Sequence, residues 1–324
     1  MKIFKYETNY KRKLFLNKKE IKPKKYSEKL KNEIINIYPE LKYQSFLGFG
    51  GAFTEATCSS ILKLSEEKQN QILQDYFSSN YTLCRIPIGS TDFSLKSYSY
   101  SNMPDLSDFS IEKDKKYIIP VIKKAQKFNP NINFLASPWS PPKFMKTNKM
   151  LVLGGKLLDK YKKTYANYLV KFIKEYEKEN IKINYITVQN EPNAVQIWES
   201  CLYSAEEEKD FIIKYLYPEF EKNNINTKIL IWDHNKEKLY TRVTQELDSN
   251  SALKAIAGVA FHYYTGDHFE NIKLVHEAFP GKLLIHTEGC TGFSKFNPNE
   301  EVKNAEIYAH DIIRRFELWR KWLY

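Results

Sequence analysis

Two glutamates stand where chemistry is possible. Glu191 lies in Thr187-Val188-Gln189-Asn190-Glu191-Pro192-Asn193, and Glu288 in His286-Thr287-Glu288-Gly289-Cys290. Each closes an apolar, β-branched run that reads as a buried strand. Pro192 lacks an N–H, so it ends ladder pairing and predicts an extended Glu191 at the strand's C-terminal tip. Two such carboxyls facing each other suit glycoside cleavage: one protonates the leaving oxygen, and the other attacks the anomeric carbon or activates water. A separation of roughly 5 Å means retention of configuration, and a clearly wider one means inversion. The donor must stay protonated until the nucleophile is consumed, and nearby negative charge is expected to raise its pKa. A solitary Asn-Glu-Pro would be an ordinary strand end with a solvated Glu, so the remaining tips have to supply partners.

They do so in order. The strand ends carry Asp92, Trp139, Asn190 with Glu191, Asp233 with His234, Tyr264 and Glu288. Arg85, inside its strand, is either a structural ion-pair partner or the charge that keeps a nucleophile ionised. Trp139, between prolines, is a core plug or a flat platform for a sugar face. His262 reads as a core histidine, His234 as loop polarity, and His286 shares a strand face with Glu288. Gly48-Phe49-Gly50-Gly51 lacks the spacing of a phosphate loop and reads as a strand exit where backbones approach closely.

The elements that must position these groups alternate. Strands are expected at Phe46–Thr54, Tyr81–Ile88, Asn131–Ala136, Ile181–Val188, Lys228–Trp232, Ala257–His262 and Lys282–Thr287. Helices are expected at Ala56–Phe77, Lys115–Phe128, Asp159–Glu177, Ala205–Glu221 and Val302–Phe316. Such βα alternation implies parallel strands with right-handed crossovers, and seven strands plus the start of an eighth at Trp322-Leu323-Tyr324 imply a (β/α)8 TIM barrel of the α/β class. The first 42 residues differ, with short alternating pieces at Lys2–Tyr6 and Lys13–Leu16 punctuated by Pro23 and Pro39.

Composition narrows the partners. The 324 residues are 42% hydrophobic and 27% charged, which suits a globular protein with a sizeable core. No apolar run reaches the ~20 residues of a membrane span, and the N-terminus lacks a secretory pattern, so a cytoplasmic protein is expected. Four scattered cysteines form neither a zinc motif nor a disulfide framework. Of the net charge of +11, residues 1–42 carry +8 (13 Lys/Arg against 5 Asp/Glu). Those lysines interleave with Asn, Ile and Tyr and match no nucleic-acid motif, so they read as a solvated surface.

Six segments in order carry a resemblance: Gly48–Ala56, Arg85–Ser94, Ala136–Asn148, Val188–Pro192, His262–Tyr264 and His286–Cys290. Together they resemble the glucosylceramidase (acid β-glucosidase) family, glycoside hydrolase family 30, from about Pro39 onward. The resemblance implies a retaining β-glycosidase on a (β/α)8 barrel (43–324) whose eighth strand is truncated here. Residues 1–42 would be the N-terminal strands of a β-sandwich that is largely absent. It implies Glu191 as acid/base and Glu288 as nucleophile. Asp92 and Trp139 would hold outer sugar hydroxyls, Asn190 the 2-hydroxyl, and Arg85 and Tyr264 would surround the nucleophile. Cys290 would lie beside Glu288, where a bulky thiol reagent would inhibit. No metal or organic cofactor is implied. The substrate is a small glycoside or glycolipid, with terminal β-glucosides and β-1,6-glucans both open, and a non-catalytic carbohydrate-binding barrel is the reading from another class.

Overall fold

The apolar runs pair side by side in chain order. The computed structural model describes residues 2–9, 11–22, 38–42, 44–78, 81–290 and 300–317. The chain divides into two compact units, Met1–Tyr43 and Gln44–Tyr324. In the first, β1 (Ile3–Asn9) and β2 (Leu14–Ile21) form an antiparallel hairpin with Ile3 opposite Ile21.

In the second unit, β3 (Leu83–Ile88), β4 (Asn133–Pro138), β5 (Ile183–Thr187), β6 (Lys228–Asn235), β7 (Ile256–His262) and β8 (Leu283–Glu288) make a parallel sheet in that order, curled as a half-barrel. The first expected strand is reduced to two parallel bridges, Phe49 with Tyr81 and Ala52 with Arg85. It hugs β3 so closely that a Cβ on Gly50 would sit 1.4 Å from the Leu83 carbonyl oxygen, which is the close approach the glycines predict. The expected start of an eighth barrel strand lies outside the described residues.

Helix boundaries depart from expectation for local reasons. The segment Ala56–Phe77 is two helices, Glu55–Leu62 and Glu66–Phe77, because Ser65 accepts a hydrogen bond from Lys68 N and caps the second as Thr54 caps the first. The Ala205–Glu221 helix passes through a π turn at Ile212–Leu216, where Pro218 withholds an N–H from the ladder. Helices Leu239–Glu246, Asn250–Ala255 and Phe269–Ala278 were not expected. In the last, Phe269, Ile272 and Val275 do repeat at helical spacing. The first was obscured, because its buried face is Leu239, Arg242, Val243 and Glu246, half of it charged.

Period-two alternation sorts the strands into layers. Outward residues such as Ile86, Phe134, Ile186, Ile231 and Val259 join the core under the helices, while Leu135, Tyr185, Leu230, Ala260 and Ile285 form a separate apolar cluster. Two positions further along each strand the residues turn polar: Ser137, Thr187, His262 and Thr287. β6 would place Trp232 in that layer. A bulge between Trp232 and His234, with φ +75° at Trp232 and +46° at Asp233, sends Trp232 into the helix-side core and inserts Asp233 instead.

Candidate active site

Asp233 is the hub of the polar layer. Its Oδ2 accepts from Arg85 Nη2 (2.6 Å) and Thr187 Oγ1 (2.8 Å), and its Oδ1 from Thr287 Oγ1 (2.5 Å) and His262 Nε2 (3.0 Å). Burial opposes its charge, but Arg85 and His262 outweigh that and hold its carboxyl far below the usual carboxylate range. Sequence reasoning placed Asp233 at a strand tip without a role. The readable signal was a set of polar residues two places beyond the inward apolar ones on adjacent strands.

Arg85 is an ion-pair partner, bridging the carboxylates of Asp233 and Glu288. The buried guanidinium donates to Glu288 Oε2 (2.5 Å), Asn190 Oδ1 (2.9 Å), Asp233 Oδ2 and Ser137 Oγ (3.2 Å). It also lies over the Trp139 ring, 4.6 Å from its centroid. Trp139 is buried, and one face of its indole supports the guanidinium. Glu288 is completed by the Tyr264 hydroxyl, which donates to Oε1 at 2.9 Å. Cys290 Sγ lies 3.3 Å from that hydroxyl.

Glu191 faces a different environment. Its backbone is left-handed (φ +48°) rather than extended, because its N–H is held by the Asp233 carbonyl at 3.0 Å. Its Oε1 is 3.3 Å from His262 Nδ1 and 3.7 Å from His234 Nδ1. Gln196 Nε2 reaches its Oε2 at 3.5 Å. One oxygen of Glu191, one of Glu288 and a His262 nitrogen all lie within 4.8 Å of one another. Among the described residues these three form the cluster that could share a cation, but Arg85 and the imidazolium of His262 already supply positive charge there.

The expected raised pKa of Glu191 is not found. Burial pushes it up, but the hydrogen bond and charge of His262, with His234 and Gln196, prevail and hold it below the ordinary range. The proton sits on His262 instead. Burial lowers its affinity for a proton, yet the charge of Glu288 and the bonds to Asp233 and Glu191 raise it to about 9. His262, read from sequence as a core histidine, is therefore part of the site.

Asp92 stands exposed at the mouth. Surrounding protein and the charges of Glu288, Glu199 and Glu191 push its carboxyl up to about 6. If it binds sugar hydroxyls as a carboxylate, KM rises as pH falls through 6, while Asp92→Asn has a high KM at every pH. A pH series of initial rates checks this, and a KM flat between pH 5 and 7 would remove Asp92 from the sugar site.

A half-barrel with two carboxyls under 5 Å apart at the C-terminal ends of its strands defines a TIM-barrel domain of the glycosyl-hydrolase kind. The chain belongs to glycosyl hydrolase family 30, whose TIM-barrel domain matches residues 46–322. It is 36% identical to the lysosomal acid glucosylceramidase of Mus musculus over 303 residues, covering 86% of this chain and 59% of that protein. It is 27% identical to an endo-1,6-beta-D-glucanase of Neurospora crassa over 279 residues, covering 82% and 57% respectively. Among solved structures it is similar to SrfJ from Salmonella typhimurium, with TM-score 0.90, 35% identity and coverage of 96% of this chain and 71% of that one. The chain thus spans less than two thirds of the length of these two curated relatives.

Proposed function

We propose that this protein hydrolyses terminal β-glucosides by double displacement, with Glu288 as nucleophile and Glu191 as acid/base. The observation that carries the reading is the carboxyl separation below 4.8 Å together with unlike partners on the two sides. A retaining mechanism needs that spacing, because no water has to fit between the groups in the first step. Arg85 donates to one oxygen of Glu288 and Tyr264 to the other, which orients the carboxyl for attack on the anomeric carbon. Glu191 and His262 together hold one exchangeable proton.

The steps balance. His262 Nδ1 returns its proton to Glu191 and remains bonded to Asp233 through Nε2–H. Glu191 protonates the aglycone oxygen as Glu288 forms the glycosyl ester. Esterification removes the Glu288 charge that supported the imidazolium, so Glu191 is free to accept a proton from water. That water attacks the anomeric carbon, Glu288 leaves as carboxylate, and the pair regains its proton. Asn190, whose carbonyl is taken by Arg85, retains its NH2 as a donor for a sugar hydroxyl.

The aglycone side is apolar. Val195 (59% exposed) and Ile197 (81%) flank Gln196, which reaches Glu191, and Leu153 N donates to the Gln196 carbonyl. Lys146, fully buried, staples the two loops by donating to the Leu151 and Ser200 carbonyls. Exposed Leu153 and Met150 continue the apolar rim. This supports a glucoside with an apolar aglycone, such as a glycolipid, over a β-1,6-glucan, whose aglycone is another hydrated sugar. No helix among the described residues is long and apolar enough to cross a membrane.

A panel of nitrophenyl glycosides with alkyl glucosides and a β-1,6-glucan tests the reading, with NMR of the first-formed product. Cleavage of β-glucosides to β-glucose is expected, faster with longer alkyl chains. A first-formed α anomer would refute the nucleophile role, and sugar binding without turnover would favour the binding-barrel reading.

A further inference from the structure

At the bulge that inserts Asp233 into the polar layer, a buried carboxylate receives the Trp232 N–H. Glu208 Oε1 accepts from Trp232 N at 3.2 Å, and its Oε2 accepts from Arg242 Nη2 at 2.8 Å. Arg242 Nε donates to Glu246. Its Nη1 reaches Asn193 Oδ1 (3.2 Å) and the Tyr203 carbonyl (3.0 Å), and its guanidinium lies 5.3 Å from the Trp232 ring centroid. Glu208 and Glu246 are fully buried, and Arg242 nearly so.

Two buried carboxylates against one guanidinium leave an excess negative charge. Glu246 Oε2 is buried and finds no donor among the described residues. Burial and the charge of Glu208 push the Glu246 carboxyl well above the carboxylate range, against the pull of Arg242. Hydrophobic side chains would fill this space with less desolvation. What the charged trio adds is direction, because its hydrogen bonds reach two segments beside Glu191. One is the left-handed Trp232–Asp233 bulge, whose Asp233 carbonyl holds the Glu191 N–H. The other is Asn193, two residues after Glu191.

We propose that Glu208, Arg242 and Glu246 are positioning residues for proton donation. Glu208 clamps the bulge that places Asp233, and through it His262 and the Glu191 backbone, while Arg242 grips the loop after Glu191 through Asn193. This rests on the reading of Glu191 as the acid. The trio touches neither substrate nor reacting atoms.

The test is Glu208→Leu in the full chain. Charge balance survives because Glu246 can ionise against Arg242, but Trp232 N loses its acceptor. Two readouts separate the clamp from the catalytic assignment. NMR titration of His262 is expected to show its midpoint falling from about 9 towards the ordinary 6.5, as Asp233 and Glu191 drift from the ring. In parallel, kcat/KM on an alkyl β-glucoside falls by about 10- to 100-fold, whereas on the 2,4-dinitrophenyl glucoside it falls less than about threefold. Glu208→Gln keeps an acceptor and is expected to restore both. An unmoved His262 midpoint, or equal losses on both substrates, overturns the proposal. If His262 moves but Glu191→Ala shows no leaving-group dependence, the clamp stands and the acid assignment fails. Should Glu208→Leu not fold, Asn193→Ala, at an exposed position, takes its place. A selective loss of about threefold or more on the alkyl substrate supports the grip, and none overturns it.

Discussion

Replacing Glu288 by Gln lowers turnover by on the order of 10⁴-fold or more on every glycoside, because the amide cannot form the glycosyl ester. Folding should survive the change. Arg85 loses one counter-charge but keeps Asp233 at 2.6 Å and Asn190 at 2.9 Å, so no buried cation is stranded. The amide can still accept from Tyr264. Binding of an unreactive sugar should therefore persist while hydrolysis disappears, and calorimetry beside rate assays checks both. Residual turnover above about 1% of wild type, on substrate shown free of contaminating enzyme, would remove Glu288 from the nucleophile role.

The second large effect belongs to Glu191→Ala, and its signature is selectivity. For alkyl aglycones, which need a proton as they leave, the loss is expected at about 10²- to 10⁴-fold. For 2,4-dinitrophenolate, which needs none, the first step changes by less than about tenfold. Added azide then reaccelerates turnover, since it attacks the glycosyl-enzyme without a base. The pH profile gives an independent check. The proton held by Glu191 and His262 leaves at about pH 9, so the alkaline limb of kcat/KM in the unmutated protein is expected there, well above the range of an isolated glutamic acid. An alkaline limb near pH 5 would mean that His262 does not hold the proton.

Much of this architecture was readable from residue order. The strand tips bearing Asn190, Glu191, Tyr264 and Glu288 do converge, around Arg85 inside β3, because apolar runs ending in polar residues fix both the strand and its end. Trp139 arrives at the same face, but as support for Arg85. What sequence could not show was the direction of charge on Glu191. That depends on His262, which reads as a core residue until its neighbours across the sheet are known. The bulge at Trp232 was equally silent, since neither Trp nor Asp announces a left-handed backbone as glycine would. The helix behind it escaped notice because arginine and glutamate occupy positions where periodicity looks for leucine.

The guanidinium resting on Trp139 has an optical consequence. An indole's emission responds to a charge held against its ring, and the charge here is tethered to the carboxylate that becomes an ester in the proposed mechanism. Each time Glu288 is neutralised, Arg85 loses one of its anchors a few ångströms from the chromophore. On that mechanism the protein carries, without any label, a fluorescent gauge of how much of it stands at the covalent intermediate.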